Sequence, residues 1–360
     1  MKKVYLKMYL KKNLGDDLFL KIILERYPFS KFMVNSKKIY NNILNTNNIK
    51  YYNTFFCRAI NFIGKKIKCR NLLTDYKLSK KSNFKIVLGG SMFVENESCN
   101  TDAFEDKITK EYNLCNKPYY ILGSNFGPYN SNEFYEIYKE VFKNAKDVCF
   151  REKYSYDLFK DLKNVRYNSD IVFSMNCDKY KKENNNTVVI SIINLENRNK
   201  LKDYLKRYEE YIINLTSSFV EKGKKVIFMS FCEFEGDELA INRIYDNLDS
   251  NIKEFVSKYF YDGNIDEALN IIVKSDTVVG TRFHATILGI LFEKKVLPII
   301  YSDKTLNVLN DMNFNGKIIK MSELDETIDV DSIAKYSGDL NKLIESSNKQ
   351  FEILDKELNK

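Results

Sequence analysis

The chain reads as an α/β protein of two Rossmann-like domains, each built on a parallel sheet. Short apolar runs alternate with amphipathic helical patterns along most of the 360 residues, which is the signature of sheets wound on both faces by helices. The length suits two domains of ordinary size. A polar stretch, Cys177–Asn186, ends in Lys-Lys-Glu-Asn-Asn-Asn and parts the alternation into halves.

The strand-like runs are Val4–Tyr9, Lys85–Leu88, Tyr119–Leu122, Val148–Phe150, Thr187–Ile193, Lys225–Ser230, Thr277–Val279 and Lys295–Ile300. Apolar residues at helical spacing mark Asp16–Glu25, Asn132–Asn144, Tyr154–Leu162, Lys200–Lys222, Asp237–Asn247, Ile265–Lys274 and Ala285–Glu293. The expected domains are 1–178, which is basic, and 187–325. A helical C-terminal segment, 330–358, is expected to pack back on the first domain. In open sheets of this type ligands lie outside the carboxyl ends of the strands, so chemistry is sought directly after each strand.

Composition narrows the classes. Charged residues make up 29% and hydrophobic ones 44%, which places the chain among globular proteins rather than disordered ones. No run of about 18 uncharged apolar residues is present to span a membrane. Lys7 interrupts the apolar residues near the N-terminus, against a signal-peptide core. Seven scattered cysteines form no CxxC pair, which reads as reduced thiols in a cytoplasmic protein without a zinc site. Residues 1–81 hold 19 Lys/Arg against 4 Asp/Glu, a surplus of 15, so with a net charge of +8 the rest carries a deficit of 7. Codon bias explains abundant lysine but not its segregation. The functional reading is a first third that faces an anionic surface or acceptor. Within it, the stretch Tyr51–Arg70 mixes aromatics with bases and reads either as a core helix ending in solvated lysines or as a segment lying in a membrane interface. No nucleic-acid-binding module accompanies the basic residues.

The strand ends carry candidates. Asn13-Leu14-Gly15-Asp16-Asp17 follows the first strand, with Asp16 placed to cap the next helix and either aspartate placed to hold a sugar hydroxyl. Gly89-Gly90-Ser91 follows another and lets backbone approach a ligand. Gly123-Ser124-Asn125-Phe126-Gly127-Pro128 makes a rigid loop at a third. Arg151 directly follows Val148–Phe150, as either a domain-interface salt bridge or an anion clamp. No GxGxxG or GxxxxGK[ST] signature occurs, and no metal-ligand cluster is visible. The only histidine, His284, stands in Gly280-Thr281-Arg282-Phe283-His284, where strand gives way to helix. Histidine is the one side chain with an unperturbed pKa near neutrality, so this chain has one position for the usual proton carrier. Residues two apart on a helix point about 200° apart, so Arg282 and His284 share a ligand only if Arg282 lies outside the helix. Tyr301-Ser302-Asp303-Lys304 ends a further strand, with Lys304 opening the next helix.

The ordered set Asn13-Leu14-Gly15-Asp16, Gly89-Gly90, Gly123-Ser124 with Gly127-Pro128, Arg151-Glu152, Arg282-Phe283-His284 and Tyr301-Ser302-Asp303-Lys304 resembles the polysaccharide pyruvyl transferase family, from about Asn13 to Leu309. The resemblance implies a two-domain architecture similar to glycosyltransferase B. It implies phosphoenolpyruvate as co-substrate with no further cofactor, and a sugar or lipid-linked oligosaccharide acceptor at the inner face of the membrane. The product is a pyruvate ketal on a cell-surface glycan. It also implies Arg151, Arg282, His284 and Lys304 as donor-site residues, with His284, Arg282 and Lys304 catalytic. Asp16, Asp17, Asn125, Gly89 and Gly90 are expected on the acceptor side, with Asp16, Asp17 and Asp170 as alternatives for the base. The four donor residues are expected to converge on one interdomain pocket. The rival readings are a glycosyltransferase of the same architecture with a nucleotide-sugar donor, and a non-catalytic glycan-binding subunit.

Overall fold

The structure is a computed structural model describing residues 1–36, 44, 46–52, 72–95, 102–113, 116–183, 185–198, 201–325 and 328–358. From residue 53 on, the aromatic and basic stretch that reads as a core helix or a membrane-interface segment lies outside the described residues. The chain forms two compact units. Unit 1 is Met1–Leu10, Phe19–Ser174 and Ile344–Lys360; unit 2 is Lys11–Leu18 and Met175–Leu343. These limits differ from the expected domains: residues 11–18 belong to the second unit, which resumes at Met175 and continues to Leu343.

Unit 1 carries a seven-stranded sheet. Its strands are β1 (Lys3–Lys7), β2 (Lys31–Val34), β3 (Ile49–Tyr51), β4 (Phe84–Leu88), β5 (Tyr119–Ser124), β6 (Asp147–Phe150) and β7 (Val165–Tyr167). The order is β3-β2-β1-β4-β5-β6-β7, with every pairing parallel. β4, β5 and β6 are buried along their whole length, which is why they appear in the sequence as continuous apolar runs. The helices are α1 (Leu14–Arg26, whose first residues group with unit 2), α2 (Leu72–Lys81), α3 (Asp102–Tyr112), α4 (Asn132–Asn144) and α5 (Lys153–Phe159). Ser131 caps α4 by accepting the Phe134 N–H. The apolar face of α4, through Phe134, Tyr138 and Phe142, joins Phe93, Phe126, Phe150 and Phe159 in an aromatic core of edge-on ring contacts.

Unit 2 carries β8 (Thr187–Ser191), β9 (Lys225–Met229), β10 (Val256–Tyr259), β11 (Thr277–Gly280), β12 (Lys295–Ile300) and β13 (Ile319–Lys320), in the order β10-β9-β8-β11-β12-β13, again all parallel. Chain order reverses between β8 and β11, which makes their carboxyl ends the topological switch point of the sheet. The helices are α6 (Leu205–Glu221), α7 (Asp237–Asp246), the short α8 (Ser250–Lys253), α9 (Ile265–Lys274), α10 (Phe283–Leu291) and α11 (Asp303–Asp311). α6 buries Tyr208, Ile212, Leu215 and Phe219, at helical spacing, against Val188, Ile190 and Phe228 of the sheet. The helical pattern from Lys200 begins with a 3-10 turn, Lys202–Tyr204, before α6 proper. Among the described residues, no helix is long and apolar enough to cross a membrane.

The C-terminal segment is less continuous than expected. A 3-10 turn at Val330–Ser332 is followed by non-helical chain, then by α12 (Leu340–Lys349) and α13 (Glu352–Leu358). From Ile344 on it belongs to unit 1. Gln350 is fully buried, takes the Gly123 N–H on Oε1, and donates from Nε2 to the carbonyls of Phe150, Asn168 and Ser169. Arg26 grips Asp355 with Nε and Nη2 at 3.0 and 2.6 Å.

Candidate active site

In unit 2 the turn between β11 and α10 is set by its own small residues. A Cβ on Gly280 would lie 2.3 Å from Thr286 Oγ1, so the strand passes closely over the helix start only because residue 280 is glycine. Thr281 Oγ1 accepts from the Tyr208 hydroxyl at 3.1 Å. The Arg282 N–H donates to Ser191 Oγ at 3.1 Å, tying the turn to β8. Arg282 is the N-cap of α10 with φ −76° and ψ 132°, extended and outside the helix as its expected role requires. His284 is the second residue of α10, half-buried, at a helix start whose dipole favours anions.

The Arg282 guanidinium is buried and meets carboxylates. Nε donates to Asp237 Oδ2 at 3.0 Å, Nη1 to Glu235 Oε2 at 2.6 Å, and Nη2 to Asp237 Oδ1. Asp237 is itself fully buried and also accepts the N–H groups of Phe231 and Cys232, both at 2.9 Å. Glu235 is shared with Arg198, at 2.5 Å. Burial alone would push the Glu235 carboxyl up, but Arg282, then Arg198 and Lys304, overcome it and hold it below the usual range. The cluster thus sets three cations, Arg198, Arg282 and Lys304, against Glu235 and Asp237. Lys304 is half-buried at the second position of α11, after β12. Arg282, His284 and Lys304 therefore follow neighbouring strands of one sheet, and Glu235 links Arg282 with Lys304 electrostatically.

The first turn of α1 belongs to this unit. The helix begins at Leu14, before Asp16 could cap it; Asn13 Oδ1 instead accepts the Gly15 N–H at 3.0 Å. Asp16 lies half-buried inside the first turn. Asp17 is fully buried and accepts the Tyr261 hydroxyl on Oδ2 at 2.8 Å, so it is not exposed to a sugar as an acceptor ligand would be. Burial dominates its ionisation and pushes the carboxyl up to about 8, against the Tyr261 hydrogen bond, which lowers it.

In unit 1, Arg151 follows β6 and is 2% exposed. Nη1 donates to Asp170 Oδ2 at 3.0 Å and Nη2 to Asn125 Oδ1 at 2.9 Å. Arg151 thus forms a salt bridge with a residue of its own unit rather than one across a domain interface. Asp170, offered as an acceptor base, is fully buried, accepts Arg151 on Oδ2 and accepts the Val172 N–H on Oδ1. Asn125 is likewise enclosed, bonded to Arg151 and through its N–H to the Gly90 carbonyl at 2.8 Å. Gly90 leaves its space to the guanidinium: an added Cβ would lie 2.5 Å from Arg151 Nη2 and 2.6 Å from Cζ. Gly89, with φ 149°, holds a backbone conformation that favours glycine, and its carbonyl accepts the Ser124 hydroxyl at 2.6 Å. Asn125 and Gly90 thus lie against the Arg151 guanidinium, and Gly89 is bonded to Ser124.

The sequence profile of the polysaccharide pyruvyl transferase family matches residues 6–303. The chain belongs to that family. No curated protein sequence matches this pyruvyl transferase family member. Solved structures share its fold at low identity. The UDP-GlcNAc 2-epimerase from Neisseria meningitidis, bound to UDP-GlcNAc, is 10% identical with a TM-score of 0.62, covering 99% of this chain and 100% of that one. S. aureus MnaA with UDP is 11% identical with a TM-score of 0.61, covering 100% and 97%. Anabaena HepE, in complex with UDP and glucose, is 9% identical with a TM-score of 0.55, covering 100% of both chains. The family member therefore has the two-domain, parallel-sheet architecture of glycosyltransferase B type.

Arg198, Glu235, Asp237 and Tyr261 are not singled out by the sequence motifs. The signal for two of them is present: Glu233-Phe234-Glu235-Gly236-Asp237 stands directly after a strand-like run, the kind of place where the other candidates lie. Gly236, at φ 81°, supplies the sharp turn that aims the acids back at Arg282. Among the described residues, no group of three or more His, Cys, Asp or Glu is arranged to hold a metal ion.

Proposed function

We propose that the protein transfers the enolpyruvyl group of phosphoenolpyruvate to a sugar of a surface polysaccharide or its lipid-linked precursor, forming a pyruvate ketal. The observation that carries this reading, beyond family membership, is the position of the only histidine. His284 lies at the switch point of the unit 2 sheet, at a helix start, beside a cluster with cations in excess.

The enol phosphate of the donor becomes electrophilic only when C3 is protonated. The His284 imidazolium gives that proton, and C2 acquires oxocarbenium character. One sugar hydroxyl adds to C2, the C2–O bond to phosphate breaks, and a neighbouring hydroxyl closes the ring. Two hydroxyl protons are lost overall; one offsets the proton delivered to C3 and the other leaves with phosphate. Lys304 and the α10 start stabilise the departing phosphate. Arg282, anchored on Asp237 and Glu235, supplies fixed positive charge. Half-buried Asp16 is the base on the acceptor.

The test is incubation with phosphoenolpyruvate and a hydroxyl acceptor, or with nucleotide sugars. Phosphate release with ketal formation supports the reading; nucleoside diphosphate release establishes the glycosyltransferase alternative instead. His284→Ala lowers kcat by about 100-fold or more, the minimum for general acid help, and turnover within about threefold of wild type excludes His284 as the acid.

A further inference from the structure

Residues 11–18 meet unit 2 at the ends of two strands. The Leu14 N–H donates to the Phe231 carbonyl at 2.9 Å, and Asn13 forms an antiparallel bridge with Cys232, both just past β9. The Tyr261 hydroxyl, just past β10, donates to Asp17 at 2.8 Å. Between these anchors lies buried Gly15. A Cβ on Gly15 would stand 1.8 Å from Nδ1, 2.5 Å from Cε1 and 2.6 Å from Cγ of His284, far inside van der Waals contact. Nothing else at this position calls for glycine. Its φ is outside the left-handed region, and in a helical turn alanine is the better helix former.

We propose that Gly15 is a positioning residue for His284: its bare Cα is the surface on which the Nδ1 edge of the imidazole rests, and this contact sets where the ring presents its proton. The proposal rests on the reading of His284 as the proton donor. It assigns the Gly15 of the Asn13-Leu14-Gly15-Asp16 motif to the catalytic ring rather than to a tight turn. Any side chain at 15 must push the imidazole aside, because the turn that carries it is held on both sides by the Phe231 and Tyr261 bonds.

The test uses untagged full-length protein, in which one histidine gives one assignable imidazole Cε1–H resonance. Gly15→Ala is expected to move that resonance and its titration midpoint, and to lower kcat by about 100-fold, the cost of misplacing a reacting group by about 1 Å. The same substitution is expected to lower Tm in the wild-type background but to leave it unchanged or raise it in His284→Ala, where the space is vacated. If Gly15→Ala alone does not fold, recovery of folding in Gly15→Ala/His284→Ala supports the proposal and failure to recover overturns it. An unmoved resonance, or an equal loss of Tm in both backgrounds, overturns it as well. The resonance and Tm readouts hold whatever reaction is catalysed, so a chain without pyruvyl transfer but with a displaced imidazole sinks the functional reading and leaves the role of Gly15 intact.

Discussion

Asp17 and Asp237 are both fully buried carboxyls with different partners. Asp237 accepts two bonds from the Arg282 guanidinium and two from backbone N–H groups, so its oxygens are fully engaged. Asp237→Ala leaves a buried guanidinium with Glu235 alone. The expected loss is about 3–5 kcal/mol, read from urea denaturation, because removing one partner of a buried pair strands the other charge. At Asp17 the Tyr261 hydroxyl lowers the ionisation, but burial outweighs it and pushes the carboxyl up to about 8 from an ordinary 3.8. The folded chain keeps that proton up to about pH 8, while the unfolded chain releases it near pH 4. Ionisation therefore favours unfolding progressively as pH rises through this window, and the effect is constant above it. Asp17→Asn is expected to remove that component. The difference in stability between variant and wild type should grow with pH by up to about 1.4 kcal/mol per unit between about pH 4 and 8, measured by denaturation across the range. A pH-independent difference would mean that Asp17 folds as an anion.

Strand ends, more than strands, decide what this protein can do, and the glycines there act in two ways. Gly123, at φ +67°, is required by its backbone. Gly90 is required by its neighbour, because Arg151 fills the place of a side chain. Gly90→Ala should therefore displace the guanidinium and weaken its bonds to Asp170 and Asn125, at about 1–3 kcal/mol as for other overpacked sites. Thermal unfolding compared in wild-type and Arg151→Ala backgrounds checks it: the loss should vanish when the arginine is gone. The long apolar strands and the strongly amphipathic helices are legible in the sequence because burial on both sheet faces writes continuous runs and one-sided burial writes a 3.6-residue period. β2, β3, β7, β10 and β13 span two to four residues each and, unlike the fully buried four-residue β6 and β11, include exposed or half-buried positions that interrupt an apolar run. α2 and α3 are rich in lysine and acids, so their apolar faces are thin. At the site, Arg282 and His284 are legible from their place after a strand. The pairing of Arg282 with Asp237, 45 residues away, is not, since partner choice between distant residues is a property of packing. The same holds for Arg151 with Asp170 and for Gly15 with His284.

Each unit draws on both early and late parts of the chain. Unit 1 includes Ile344–Lys360, whose Gln350, fully buried, ties together the ends of β5, β6 and β7, and whose Phe351 is fully buried as well. Deleting residues 344–360 should expose that face and abolish the cooperative unfolding of unit 1, read by calorimetry as the loss or broadening of its transition; an unchanged thermogram would show that the segment is dispensable. Unit 2 includes Lys11–Leu18, held by bonds to Phe231 and Tyr261, which lie far along the chain. A fragment starting at Met175 would thus omit one wall of the histidine's surroundings, and it would need the N-terminal peptide supplied in trans. For a nascent polypeptide emerging from the ribosome, this arrangement delays completion. The peptide made among the first must wait for Tyr261 to be translated, and the opening sheet must wait for the final stretch after Ile344. Vectorial synthesis therefore completes unit 2 before unit 1, although unit 1 supplies the earlier strands, and a helper that shields unpaired sheet faces would act on the first sheet throughout most of this chain's production.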